Sequence, residues 1–231
     1  EIAADQNKGR IKNIMHVGAP TTERAVALAR HAAAVGVEAI CCVPPFFYRR
    51  SDEEIVEHYR AVADAAGLPL FVYNLPSATR VEITPALMDK IQRAVPLVVG
   101  LKHSAENQMH VRTFARMGLA CFTGNCRLML PALTIGAIGC VDGPLCVAPE
   151  LWVEIWNAWE QGDLRRAEKA QEQVWLFVEA MLACGGTFHA LVKAALSLRL
   201  GIDCGAARLP AAPLTAQERA ALAQVALKWG W

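Results

Sequence analysis

The sequence predicts an α/β fold built on a parallel sheet, and three observations support this. Up to about residue 148, short apolar runs alternate with amphipathic stretches, a pattern typical of repeated strand–helix units. The apolar runs show little internal alternation, which indicates strands covered on both faces. Beyond residue 148 only helical periodicity remains. We therefore expect a barrel-forming sheet region at residues 1–148 and a helical region at 149–231, packed as a single structural unit.

Six strands and four late helices can be located from these patterns. The strands are predicted at residues 11–17, 39–43, 69–73, 97–102, 120–123 and 137–141. The late helices are predicted at residues 149–161, 163–183, 188–200 and 215–229. On the first late helix, Trp152, Trp156 and Trp159 recur at helical spacing, which favours core or helix-pair packing over a ligand cage.

The helices between the strands carry start and stop signals. Ser51 and Glu54 are spaced as a capping box, and Thr84 precedes Pro85 as an N-cap before a first-turn proline. Glycines stand where three helices would end in a left-handed conformation. They are Gly36, Gly67 and Gly118.

Composition excludes several classes of protein. The chain of 231 residues is 54% apolar and 19% charged, which allows a large core. Lys and Arg total 23 against 22 Asp and Glu, without a basic cluster, so a nucleic-acid partner is not expected. From the polar start we expect no secretory signal, and no apolar stretch reaches the length of a membrane span. We expect a cytoplasmic protein with no membrane partner.

The cysteines and histidines do not form a metal motif. Eight cysteines include no CxxC pair, and six histidines include no HExxH spacing. Most cysteines lie in apolar segments, which favours buried reduced thiols. The sequence therefore predicts neither a metal nor a cofactor.

Two polar residues end neighbouring apolar runs. Tyr73 ends the third predicted strand and Lys102 ends the fourth. Neighbouring strands lie about 4.8 Å apart, so the two side chains could approach one substrate atom. A desolvated lysine loses its proton more readily and can attack a carbonyl. The alternative is a lysine reaching for solvent beside a core tyrosine, and spacing alone favours that alternative.

Residues 10 to about 215 resemble the dihydrodipicolinate synthase and N-acetylneuraminate lyase family of class I aldolases, from its third strand onward. A Tyr-Asn-x-Pro motif followed by Gly-x-Lys at this separation is a specific signal. The matching stretches are residues 73–76 (YNLP), 99–102 (VGLK), 122–124 (FTG), 136–139 (GAIG) and 208–210 (RLP).

The resemblance implies that Lys102 forms a Schiff base with pyruvate and that Tyr73 shuttles a proton. It also implies a (βα)8 TIM-type barrel with C-terminal helices, assembled as a homo-oligomer, either a dimer or a tetramer. Only six of eight βα units are visible, so we expect the first two to be absent. In the family, the first two units carry a Gly-Thr-Thr-Gly-Glu loop that holds the pyruvate carboxylate. The implied partners are a 2-oxo acid and an aldehyde or sugar-acid derivative.

Several positions depart from the family pattern. Phe47 stands where many members carry a second, relaying tyrosine, and Tyr48 is expected to face the other way on an extended segment. Ala78 replaces the arginine that binds a distal carboxylate in the synthases. Cys126 and Arg127 replace the Asp-Glu pair of sialic acid lyases, although residues 16–18 (HVG) resemble that branch. The predicted substrate-binding residues are Gly124, Val141, Ser104, Ala78, Phe47, Cys126 and Arg127.

Two functions remain open at this point. The first is a Schiff-base lyase that cleaves or forms a C–C bond beside a pyruvate-derived enamine. The second is a catalytically impaired or truncated paralogue that keeps the barrel for ligand binding or assembly. Arg127 itself has two readings, a partner for an acidic substrate tail or a surface arginine. A phosphate-binding barrel is disfavoured because Asp142, after the last strand, would repel an anion.

Overall fold

The computed structural model describes residues 1–231 and shows an α/β fold with a six-stranded sheet. The strands follow one another in chain order across the sheet, and the paired strands from β1 to β5 are parallel. The strands are β1 (Ile14–His16), β2 (Ala39–Cys42), β3 (Leu70–Asn74), β4 (Val98–His103), β5 (Ala120–Thr123) and β6 (Gly139–Cys140). All six predicted strands are therefore present, and the largest differences are at the ends of β1 and β6.

The prediction that the strands are covered on both faces holds for β2, in which all four residues are buried, but not for β3. In β3, Leu70, Val72 and Asn74 are fully buried, whereas Phe71 and Tyr73 are only half-buried. The hydrophobic core lies on the side of the sheet that the helices cover. The opposite side, which carries His16, Tyr73 and Lys102, is called the site face below. The strand residues on the site face are largely apolar as well, although helices do not cover this face. The apolar runs in the sequence are therefore continuous.

Two compact units make up the chain, and the first comprises residues 1–124 and 132–139. Its helices surround a core that includes the fully buried Tyr59, Met88, Ile91 and Phe114. The helices from α1 to α7 are α1 (Ile2–Asn7), α2 (Thr22–Ala34), α3 (Asp52–Ala66), α4 (Pro76–Thr79), α5 (Pro85–Ala94), α6 (Met109–Arg116) and α7 (Met129–Thr134).

The predicted helix signals are confirmed. The Glu54 amide donates to Ser51 Oγ at 3.2 Å, and the Ser51 amide donates to Glu54 Oε2 at 2.8 Å, which completes the capping box. Thr84 Oγ1 accepts from the Leu87 amide at 3.2 Å. The predicted glycines adopt positive φ, with values of 77° at Gly36, 62° at Gly67 and 82° at Gly118.

Replacing Ser51 with Ala should lower the free energy of unfolding by about 1 kcal/mol, because the Glu54 amide loses its acceptor. Thr21 is a matched control, since it caps α2 without a side-chain hydrogen bond. Urea unfolding should therefore show a smaller loss for Thr21→Ala than for Ser51→Ala. Equal losses in the two variants would contradict the capping argument.

The second unit comprises residues 125–131 and 140–231. Helices α8 and α9 are joined by a bidentate pair in which Arg166 Nε and Nη2 donate to Glu154 at 2.5 and 2.8 Å. No helix of the chain is long and apolar enough to cross a membrane. The four predicted late helices are confirmed as α8 (Pro149–Glu160), α9 (Leu164–Leu182), α10 (Phe188–Leu200) and α11 (Ala216–Lys228).

Aromatic side chains gather around Phe177 in the second unit. The Phe177 ring contacts the rings of Trp152, Trp229 and Trp231 at centroid distances of 6.2, 5.2 and 5.6 Å. Trp152 is buried and its indole N–H donates to the Cys126 carbonyl at 2.9 Å. The predicted packing role is confirmed for Trp152, whereas Trp156 and Trp159 are half-buried.

Candidate active site

Lys102 and Tyr73 lie side by side on the site face. They are register partners in the parallel pairing of β3 with β4. Lys102 Nζ lies 4.3 Å from the centroid of the Tyr73 ring. The ion pairs of the structure do not include Lys102. An amine that is held against an aromatic face without a carboxylate partner is open to a ligand.

Gly124 and Ser104 close the site beside Lys102. A Cβ on Gly124 would lie 1.8 Å from Ser104 Oγ and 3.1 Å from Lys102 Cε, so only glycine leaves room for both side chains. The Ser104 hydroxyl oxygen is buried and has no hydrogen-bond partner. A buried hydroxyl without a partner is unfavourable, which leaves it available to a polar group of a bound molecule.

Asn74 and His103 hold the ends of these strands from the helix-covered face, where both are fully buried. The Asn74 amide side chain exchanges hydrogen bonds with the backbone of Ile83 at 3.0 and 3.2 Å. It also lies 3.3 Å from Nδ1 of His103, whose Nε2 is 3.0 Å from the Asn107 carbonyl. Burial lowers the pKa of His103, so this network is built around a neutral imidazole.

His16 is a site residue that the sequence analysis did not select. It ends β1, and its ring meets the Tyr73 ring edge-on at a centroid distance of 5.9 Å. Two signals were available in the sequence: His16 is a polar residue near the end of the first predicted strand, and Gly18 follows it closely.

Phe47, Tyr48 and Ala78 lie in the first unit without a hydrogen bond, ion pair or ring contact to Lys102. Phe47 has a φ of 86°, and its side chain is 85% exposed. The prediction of an extended segment that turns Tyr48 away is wrong, because the two rings contact each other at 5.0 Å. Ala78 is exposed on the short helix α4.

Cys126, Arg127 and Val141 lie in the second unit. The Arg127 guanidinium pairs with Glu179, so its charge already has a partner. The Cys126 amide donates to Asp142 Oδ2 at 3.0 Å, and the Cys126 side chain is buried. Val141 is 42% exposed. Asp142 is thus engaged in holding the local backbone.

The cysteines are all free thiols, and five of the eight are buried. Burial raises the pKa of Cys41 and Cys121 to about 12, which keeps these thiols protonated at neutral pH. The structure contains no group of three or more His, Cys, Asp or Glu side chains that could hold a metal ion.

Comparison with known proteins identifies the family. The model of the dihydrodipicolinate synthetase family matches residues 1–228. A DapA-like lyase of Halobacterium salinarum is 36% identical over 94% of this chain and 71% of its own length. A 4-hydroxy-tetrahydrodipicolinate synthase of Acidiphilium cryptum is 31% identical over 98% of this chain and 79% of its own length.

A solved structure supports the same assignment. A catalytic lysine mutant of the Ruminococcus gnavus sialic acid aldolase superposes with a TM-score of 0.92 at 26% identity. The match covers 97% of this chain and 74% of the aldolase. The resemblance inferred from the motifs is thereby confirmed. The chain belongs to the dihydrodipicolinate synthetase family and is an enzyme of the class I aldolase type.

Proposed function

We propose that this protein is a lyase whose Lys102 forms a Schiff base with a 2-oxo acid such as pyruvate and thereby cleaves or forms the adjacent C–C bond. The position of Lys102 supports the proposal. Lys102 is the penultimate residue of β4, and its amine lies 4.3 Å from the Tyr73 ring centroid and has no carboxylate partner. The Ruminococcus gnavus aldolase, which is described with a catalytic lysine, adds independent support.

The proposed chemistry begins with the neutral amine of Lys102. Its lone pair attacks the ketone carbon C2 of the 2-oxo acid, and the resulting carbinolamine loses water to give an iminium ion. For cleavage, the C4 hydroxyl gives its proton to the phenolate of Tyr73 that the dehydration leaves, and the electron pair of the C3–C4 bond moves into the iminium. An aldehyde leaves, and an enamine of pyruvate remains. Protonation at C3 and hydrolysis then release pyruvate and restore the amine.

Tyr73 and Ser104 take supporting roles in this scheme. The Tyr73 phenol lies next to the amine and donates the proton that carries away the carbinolamine hydroxyl as water. The unpartnered Ser104 hydroxyl, which lies beside Gly124, hydrogen-bonds a polar group of the bound acid. The remaining predicted contacts, from Phe47, Ala78, Cys126, Arg127 and Val141, stay predictions.

The same resemblance leads us to propose that the six-stranded sheet is part of a (βα)8 barrel with C-terminal helices. In such barrels the active site lies at the carboxyl ends of the strands, which is where Tyr73 and Lys102 stand. The family relatives differ in the substrates that their names give. A panel of 2-oxo-3-deoxy sugar acids, assayed for pyruvate release, should identify the substrate of this protein.

Borohydride trapping tests the Schiff base directly. The protein incubated with pyruvate and sodium borohydride should gain one reduced pyruvate adduct, and peptide mass mapping should place it on Lys102. The Lys102→Arg variant should gain no adduct. Lys90→Arg is a matched control, because Lys90 is a surface residue paired with Asp52, and it should be labelled like the unchanged protein.

An adduct that persists in Lys102→Arg, or that maps to another lysine, would refute the assignment of Lys102. Absence of any adduct in the unchanged protein would instead favour the impaired paralogue. Circular dichroism of each variant verifies that the fold is retained.

A further inference from the structure

The pairing of β3 with β4, the two strands that carry the reacting phenol and amine, is irregular at its start. Leu70 pairs with Val98. The next residue, Phe71, pairs with Gly100, so Val99 is left without a partner in the register. A slip of one residue turns every side chain of a strand to the other face of its sheet. The amine therefore lies beside the phenol only because the register is fixed beyond this irregularity.

The last pair of this register is joined by a side-chain hydrogen bond. Asn74 and His103 are register partners and are both fully buried, and Asn74 Nδ2 lies 3.3 Å from His103 Nδ1. They directly follow the pair formed by Tyr73 and Lys102. Successive residues of a strand point to opposite faces of the sheet. The bond between Asn74 and His103 therefore lies directly behind the reacting groups, on the helix-covered face.

The neighbours of this hydrogen bond give it a definite direction. His103 Nε2 lies 3.0 Å from the Asn107 carbonyl oxygen, which can only accept, so Nε2 donates and Nδ1 accepts. The oxygen of the Asn74 side chain accepts from the Ile83 amide at 3.0 Å. Its nitrogen donates to the Ile83 carbonyl at 3.2 Å and to His103. Each polar atom of the two side chains thus has a partner, and the amide of Asn74 cannot be turned over without losing these bonds.

The surroundings keep the His103 ring neutral. Burial has the largest effect and lowers its pKa, which the hydrogen bond to the Asn107 backbone raises in part. His110 on α6 lowers the pKa of His103 and the Glu82 carboxylate raises it, both to a smaller extent. A protonated ring would place an N–H group opposite the amide nitrogen of Asn74, where neither group can accept. The neutral form is therefore the one that joins the strands.

We propose that Asn74 and His103 are positioning residues, and that the hydrogen bond between them sets the phenol of β3 against the amine of β4 for Schiff-base formation. This inference rests on the Schiff base proposed above. Both side chains lie on the face away from the substrate and act through the backbone that carries Tyr73 and Lys102. Loss of the bond should displace the phenol from the amine and slow the loss of water from the carbinolamine.

Two replacements of His103 separate the two hydrogen bonds of its ring. In His103→Asn, the amide oxygen takes the position of Nδ1 and accepts from Asn74, whereas no group reaches the Asn107 carbonyl. In His103→Gln, the amide nitrogen takes the position of Nε2 and donates to Asn107, whereas Asn74 loses its acceptor. Both variants lack the ring that packs against Phe114 at a centroid distance of 5.7 Å, so both should be less stable than the unchanged protein.

The rate of pyruvate trapping should follow the bond to Asn74 and not the stability of the variant. Borohydride is used in excess, so that formation of the imine limits the rate. His103→Gln should lower the maximal trapping rate by about 10-fold, with little change in the pyruvate concentration that gives half of it, because geometry is disturbed and binding is not. His103→Asn should trap at nearly the rate of the unchanged protein. Thermal unfolding measures the stability of each variant.

His110→Gln is a matched control. The His110 ring packs against the same Phe114 ring at 6.0 Å, and its Nε2 lies 3.1 Å from Nδ2 of the Asn107 side chain. It forms no hydrogen bond with Asn74 or His103. Removing this ring should lower the stability and leave the trapping rate unchanged.

A double-mutant cycle tests whether the bond acts through the phenol. In the Tyr73→Phe background there is no phenolic hydroxyl to align, so adding His103→Gln should lower the trapping rate by much less than about 10-fold. An equal loss in both backgrounds would show that His103 supports the fold without aligning Tyr73. That outcome would overturn the proposal.

NMR of the unchanged protein with 15N-labelled histidine tests the direction of the bond and does not depend on how well the variants fold. His103 should be the tautomer with the proton on Nε2, and a proton on Nδ1 would overturn the proposal. Equal trapping rates in His103→Asn and His103→Gln would overturn it as well. Absence of any adduct in the unchanged protein would instead refute the Schiff base itself, and the inference with it.

Discussion

Gly124→Ala should lower the rate of pyruvate trapping at Lys102 by about 100-fold or more, because the reacting amine is displaced. The added Cβ would lie 1.8 Å from Ser104 Oγ, 2.9 Å from Ser104 Cβ and 3.1 Å from Lys102 Cε. The hydroxyl can rotate away, but the contacts with the two carbon atoms remain. Timed borohydride trapping measures the rate.

A second variant shows whether crowding is the cause. Ser104→Gly in the Gly124→Ala background removes both serine contacts and keeps the contact with Lys102 Cε. Trapping should therefore recover in part relative to Gly124→Ala alone. An unchanged trapping rate in Gly124→Ala would show that Lys102 does not need the position that the structure gives it.

The stability of the protein should fall as the pH drops from 6.5 towards 4, because His58 is buried as a neutral imidazole. Its pKa is lowered from 6.5 to about 4, chiefly by burial, with a smaller opposing effect of a hydrogen bond to the Val43 backbone. His58 is 1% exposed, and its Nδ1 lies 2.9 Å from Thr22 Oγ1. The unfolded chain binds a proton in this pH window and the folded protein does not.

The sign follows from proton linkage. The contribution of the neutral His58 to the free energy of unfolding is fully present above pH 6.5. It is lost, by about 3 kcal/mol, as the pH falls to the lowered pKa of His58. Urea unfolding between pH 4 and 7.5 measures the dependence. His16 and His103 titrate in the same direction, so the difference between the unchanged protein and His58→Gln isolates His58. Parallel pH dependences would contradict the prediction.

The positions of the strands and helices were largely predictable because they depend on local signals. Residues 120–123 were predicted as a strand with the bounds that the structure gives, and the capping box at Ser51 marked the start of α3. The ends of β1 were not predictable. The predicted strand began at Ile11, whereas Lys12 and Asn13 interrupt the apolar run and pairing with β2 begins only at Ile14.

Coverage of the sheet could not be read from composition. A run such as Leu70-Phe71-Val72 is continuous in the sequence, yet Phe71 lies on the site face against Phe122 at 5.7 Å. Aromatic and aliphatic side chains can pack on either face of a strand. The burial of each face depends on which elements cover it, and that is a tertiary property.

The candidate site was partly predictable for a similar reason. The approach of Tyr73 to Lys102 follows from adjacent strands and a terminal polar residue on each. The contact of His16 with Tyr73 crosses an intervening strand, and Gly18 leaves room for the imidazole. Likewise, the pairing of Arg127 with Glu179 joins residues far apart in the sequence. Such contacts have no local signature.

The distribution of aromatic residues gives the two compact units separate optical reporters. All six tryptophans, at positions 152, 156, 159, 175, 229 and 231, belong to the second unit, where three of them surround Phe177. All three tyrosines, Tyr48, Tyr59 and Tyr73, belong to the first. Fluorescence excited selectively in the indole band therefore reports on unfolding of the second unit.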